Sequence, residues 1–229
     1  MKKLSMTLVL VFLLCNLSGL AQDLEEEERD ILEVVLSGGA AIPVGGISDW
    51  VSAGADWTSA DRPKIAAKTG IEIGFELGAF INPNTVLGLG FIYSQYTLDT
   101  EEDAGNLKHR FYNPNLYLKY YFFGESDYVP YVKVHAGVDN PKFTTQVMDK
   151  NDDIKLRELS YNPVLSFGIG GGLLYYTADY SGLFIEAGYH YGFSDETTKS
   201  YDDIEYTFGE NTGIFDIKFG VKVFFGSDE

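Results

Sequence analysis

The residues that could do chemistry in this chain recur at even spacings. Glu72 and Glu76 are four apart, as are Glu186 and His190. Lys133, His135 and Asp139 follow at two and four, Asp216, Lys218 and Lys222 do the same, and Glu33 and Lys119 stand singly in similar surroundings. On a β-strand such spacings put every member on one face. Carboxylates, amines and imidazoles gathered this way form an ion-pair and hydrogen-bond network, or a narrow ion or proton path. The acids and bases appear together, as buried charges must.

Other chemistries lack their residues. His109 falls at the outer end of a strand, with no Gly-x-Ser-x-Gly motif and no triad partner near it. No His or Cys spacing matches a metal site, and the sole cysteine is Cys15. We expect no catalytic residue, no metal and no cofactor.

The elements that position these charges alternate with period two. The last one, Gly213 to Phe225, sets Phe215, Ile217, Phe219, Val221, Val223 and Phe225 against Asp216, Lys218, Gly220 and Lys222. The same pattern gives strands over about Ile31–Ile42, Thr69–Ile81, Thr85–Leu98, Lys108–Phe123, Tyr128–Phe143, Leu159–Tyr176 and Leu183–Phe193. The connections alternate long and short. The short ones are Asn82–Asn84, Gly124–Asp127 and Ala178–Gly182. Eight strands joined in this way predict an all-β, antiparallel, up-and-down transmembrane β-barrel with both chain ends on the periplasmic side.

Alternation alone also fits a soluble barrel. Three features favour a membrane. Glycine dominates the polar face, as a crowded lumen demands. The charges on that face are of both signs. The opposite face is bulky, aromatic and almost free of charge. Tyr120 to Phe123, Tyr128, Tyr175, Tyr176, Tyr180, Phe184, Phe224 and Phe225 gather near the short turns and predict an aromatic girdle there.

The chain has 229 residues with 25 Gly, 16 Phe and 16 Tyr, a composition of strands and turns rather than helices. A net charge of −17 argues against nucleic acid as a partner. Lys2 and Lys3, the apolar run Leu8–Leu14 and Gly19-Leu20-Ala21 form an export signal cleaved after Ala21. Residues 22–30 form an acidic periplasmic tail, 31–225 the barrel and 226–229 a C-terminal tail.

In Thr69–Ile81, Leu159–Tyr176 and Gly213–Phe225 above all, the pattern resembles the small, porin-like bacterial outer-membrane β-barrel family. The resemblance covers about Ile31 to Phe225. It implies a monomeric barrel in the outer membrane of a Gram-negative cell, surrounded by lipid. It also implies that Phe225 serves as the terminal aromatic of the assembly signal, although Gly226-Ser227-Asp228-Glu229 follow it here.

The external loops carry acidic clusters: Asp99, Glu101, Glu102 and Asp103; Asp149, Asp152 and Asp153; and Asp195, Glu196, Asp202, Asp203 and Glu205. They match no calcium-loop spacing. Three Asn-Pro pairs, ending in Pro114, Pro141 and Pro163, lie near the outer ends of neighbouring strands. Proline removes a ladder donor that lipid cannot replace, so we place these prolines at or above the outer interface, where a notch would shape a partner surface. The expectation is a non-enzymatic barrel with a plugged polar lumen. Its role is structural, or interaction with a protein partner through external loops. The alternative is a small pore or transport component, or an accessory subunit of a secretion machine.

Overall fold

Eight long strands follow one another around a closed ring. The computed structural model describes residues 30–45, 50–51, 64–99, 108–148, 154–160, 162–193, 197–201, 204–208 and 211–226. The barrel strands are β1 (Asp30–Gly45), β2 (Gly70–Asn82), β3 (Thr85–Asp99), β4 (Lys108–Tyr121), β5 (Tyr128–Met148), β6 (Val164–Ala178), β7 (Ser181–Phe193) and β8 (Thr212–Gly226). Each pairs antiparallel with the next, and β8 pairs with β1 from Asp30–Gly226 to Gly45–Thr212. Closure leaves the barrel no edge, so its backbone groups find partners within the sheet. The expected leader, most of the acidic tail and the last three residues lie outside the described residues, as do the three acidic clusters apart from Asp99 and Glu205.

The alternation read from sequence decides which face is which. On β2 the exposed residues Ile71, Ile73, Phe75 and Leu77 alternate with buried Glu72, Gly74, Glu76 and Gly78. Leu36, Ile169 and Phe219 are more than 60% exposed, whereas Glu33, Lys119 and Lys222 are fully buried. Water would demand the reverse. The apolar belt on β8 runs from Phe215 to Phe225, the ~9–11 residues that a tilted strand needs to cross hydrocarbon.

Aromatic rings bound the belt. Near the short turns Tyr128 stacks on Tyr175 at 4.9 Å and Tyr120 meets Phe122 at 5.0 Å. Near the long connections Tyr93 packs on Tyr112 at 5.3 Å and Tyr191 on Phe193 at 4.9 Å. Not all of the rings expected in the lower girdle are there. Tyr121, Phe184 and Phe224 are buried, and with Val35, Val86, Tyr117, Val129, Tyr131 and Leu174 they form an apolar cluster inside the barrel, with Tyr176 packed against it. The reason is parity: each stands one residue from an outward-facing side chain, so it points inward at the same level.

The outer ends depart from the expected bounds. β5 runs to Met148 and pairs with a separate strand, Ile154–Ser160. Leu159 belongs to that strand, and Asn162-Pro163 separates it from β6. A further hairpin, Thr197–Tyr201 with Ile204–Phe208, stands in the last long connection. Trp50–Val51 pairs with Lys64–Ile65 in the first.

Candidate functional site

All twelve lumenal charges identified from the sequence are buried, with six carboxylates facing four lysines and two histidines. They come together because inward residues of adjacent strands stack at matching heights. Above the aromatic floor, the Glu33 carboxylate accepts hydrogen bonds from Lys119 Nζ at 2.5 Å, from Tyr117 at 3.3 Å and from the Tyr121 hydroxyl. Lys119 also reaches Glu76 at 3.0 Å. Lys133 then joins Glu76, at 2.8 Å, to Glu186, at 2.5 Å. Lys218 continues the chain to Glu186 at 3.3 Å, Glu72 at 3.1 Å and Asp216 at 3.0 Å. Ser94 and Tyr131 donate to the Oε2 atoms of Glu72 and Glu186. Each of these three lysines bridges carboxylates from different strands. The ladder therefore ties β1, β2, β4, β5, β7 and β8 across the lumen.

Lys222 is held differently. Its Nζ donates to the Tyr121 hydroxyl at 3.0 Å and lies 3.4 Å from the Tyr131 ring centroid, with the Phe184 ring at 4.8 Å. The aromatic floor thus solvates this cation through ring faces.

A second group occupies the outer half of the lumen. His190 Nε2 lies 2.8 Å from Asp139 Oδ2, and His190 Nδ1 lies 3.0 Å from His135 Nε2. A carboxylate only accepts, so Nε2–H of His190 donates to Asp139, and His190 Nδ1 shares one hydrogen with His135 Nε2. The two rings lie nearly parallel at 5.3 Å. Asn113 Nδ2 donates to Asp139 Oδ1 at 2.6 Å and to Ser166 Oγ at 2.8 Å. Gly168 makes room for this arrangement, since a Cβ there would collide with the His135 imidazole. Uncharged members of both groups (Ser94, Asn113, Tyr117, Tyr131 and Ser166) did not stand out as lumenal partners in the sequence, and Tyr121 is one of the rings expected in the girdle. Their signal was parity, because each shares the inward face with the charges.

The three prolines take different places. Pro141 is buried and paired with Phe111, and Pro163 is exposed in the connection before β6. Pro114 faces outward opposite Phe91, one pair inside the Tyr93–Tyr112 rings. It therefore lies within the apolar belt rather than at or above the outer interface. The β4–β5 ladder is interrupted there: Tyr112 pairs with Asn140 and Asn115 with Gly137, but nothing pairs between. Even-numbered β4 residues donate to β5, as Phe122 N does to Pro130 O at 2.9 Å. Residue 114 would accordingly donate to Val138 O, and proline has no N–H. The Asn140 side chain supplies the donor. Its Nδ2 lies 3.1 Å from Val138 O and 3.1 Å from Tyr112 O.

At the outer rim, Glu158 binds Arg110 at 3.2 Å and Lys142 at 3.0 Å. Hydrogen bonding to that carboxylate raises the Lys142 ammonium above its ordinary value. His109 is buried at this height with its ring 4.3 Å from Phe111. Among the described residues no cluster of three or more His, Cys, Asp or Glu side chains could hold a metal ion.

The fold has relatives among solved structures. Neisserial surface protein A (NspA) superposes with a TM-score of 0.56 at 13% identity, over 85% of this chain and 97% of that one. The outer membrane protein OprG from Pseudomonas aeruginosa gives 0.54 at 15% identity, over 87% and 99%. The outer membrane protein AlkL, solved in lipid bilayers, gives 0.53 at 14%, over 90% and 95%. No protein-family model matches the chain, and no curated protein matches it in sequence. The chain has the fold of the small bacterial outer-membrane β-barrels. With its apolar belt and ring girdles, it is an integral membrane barrel of that type.

Proposed function

We propose that this barrel is a non-enzymatic outer-membrane protein whose own side chains close its lumen, and that it acts through its outer end as a structural or interaction protein. The observation that carries the reading is the ladder from Glu33 to Asp216. Its lysines bridge opposite walls of the lumen, and the aromatic floor lies beneath it. A pore needs a lining that leaves water a continuous path, whereas here the charges neutralise one another across the bore. An eight-stranded barrel is only just wide enough for its own side chains.

The burial of the His109 ring against Phe111 supports the non-enzymatic reading. The break between β4 and β5, with Pro114 facing outward and Pro141 and Pro163 above it, is the surface we assign to a protein partner. There the wall offers side chain in place of ladder, and the belt is locally irregular.

Two measurements test this. Liposomes carrying the folded barrel should swell in small sugars no faster than protein-free liposomes, and rapid swelling would overturn the closed lumen. Mild detergent extraction from the native host followed by affinity isolation should return a stoichiometric partner. That partner should be lost when Pro114 and Asn140 are replaced by Ala. A barrel that always emerges alone would overturn the interaction role.

A further inference from the structure

The chain is strongly acidic, yet one patch of its outer wall is basic. Strand parity puts Lys108, Arg110 and Tyr112 on the outward face of β4, and Asn140, Lys142 and Thr144 on that of β5. Arg110 lies directly opposite Lys142, Lys108 opposite Thr144 on one side and Thr97 on the other. Like charges placed opposite one another repel. Glu158, reaching over from the strand beside β5, is the carboxylate that bridges Arg110 and Lys142. Among the described side chains, three cations and one anion leave the patch positive.

Its height is the second observation. The patch begins one outward position above Tyr93 and Tyr112, whose rings mark the upper limit of the belt. Two residues of strand rise are about 7 Å, the step from the hydrocarbon edge into the lipid headgroups. Lys142 Nζ lies 5.7 Å from the Tyr112 ring centroid, so cation and girdle are continuous. Beside them Tyr93 donates to Gln95 Oε1 at 3.0 Å, and Gln95 stands opposite Arg110 on the neighbouring strand. Arg110 is 27% and Lys142 42% exposed. Each keeps donors beyond the one it gives Glu158, since guanidinium has five N–H and ammonium three.

We propose that Lys108, Arg110 and Lys142, with Gln95 beside them, bind the phosphate of a phosphorylated lipid in the outer leaflet. A guanidinium fork flanked by two ammonium groups matches a phosphate monoester. The girdle beneath seats the acyl chains, which distinguishes a lipid from a soluble anion. A purely structural reading of the same contacts treats Glu158 as the clasp that holds the Ile154–Ser160 strand to the wall. The two readings differ over Glu158. For a phosphate it is a competitor, and for a clasp it is essential.

The test is native mass spectrometry of the full-length barrel in detergent, with phosphatidic acid and diacylglycerol of identical acyl chains as probes. Folding of every variant is checked by the heat-dependent gel shift. The wild type should retain phosphatidic acid and not diacylglycerol. The triple variant K108Q/R110Q/K142Q should lose it by at least about ten-fold, since a single charged hydrogen bond accounts for that much. E158Q should retain it as well as the wild type or better. K108Q alone, which breaks no ion pair with Glu158, should weaken retention if the triple variant does not fold. Equal retention of the two lipids would overturn the proposal. So would full retention by the folded triple variant, or a loss in E158Q as large as in the triple variant.

Discussion

Asn140 makes the hydrogen bond that Pro114 cannot: its side-chain nitrogen stands 3.1 Å from Val138 O, the carbonyl that residue 114 would serve in an unbroken ladder. Lipid offers no substitute donor, so Asn140→Ala should cost about 1–3 kcal/mol in unfolding free energy. In a Pro114→Ala background the backbone donor returns and the same substitution should cost much less. Urea titrations in lipid vesicles, scored by the compact band on unheated gels, measure both. An equal cost in the two backgrounds would separate the two residues.

Lys133 is the cation shared by Glu76 and Glu186, at 2.8 and 2.5 Å. Lys133→Met leaves Glu76 and Glu186 with one lysine each, Lys119 and Lys218, and removes the cation between them, so it should destabilise the barrel by about 3 kcal/mol. Adding Glu186→Gln should recover part of that loss, because it removes one of the two carboxylates that shared the missing cation. The same titrations read the recovery. A double variant no better than the single one would contradict the pairing.

Lys222 should behave in the opposite way. Its amine rests on the Tyr131 ring and the Tyr121 hydroxyl, so Lys222→Met strands no anion. The expected change is within about 2 kcal/mol, the scale of a desolvated cation–π contact. A loss as large as that of Lys133→Met would show that Lys222 neutralises the ladder after all.

Gly168 holds open the space for the His135 ring, which stacks on His190. Gly168→Ala should displace that ring and cost about 1–3 kcal/mol. His135→Ala in the same chain should relieve most of the clash. Imidazole resonances of His190 in solution NMR should shift in Gly168→Ala, and an unchanged spectrum would contradict the contact.

Much of this was legible from residue types and parity alone. Glu72, Glu76 and their counterparts stand at even spacings among glycines, so the strand period put them on one face before any pairing was known. The long and short connections supplied the strand order. The outer ends were not legible, because Thr144 to Glu158 carry too little apolar alternation to mark the pairing of β5 with Ile154–Ser160. Tyr121 and Phe224 share the girdle's level, and only their parity sends them inward. Pro114 is a case of a different kind. Its lack of a donor suggested a position outside the lipid, but the repair comes from Asn140, a residue on the neighbouring strand that no local reading of Asn113-Pro114 could supply. The basic patch was hidden because Arg110 and Lys142 are far apart in sequence and meet only through the β4–β5 register.

The most direct test of the closed lumen is single-channel recording of the folded, monomeric barrel in planar bilayers. The wild type should give no steady openings above the bare membrane. Large, steady, ohmic channels in preparations shown to be folded would mean that the ladder from Glu33 to Asp216 does not close the bore, and would make this protein a pore.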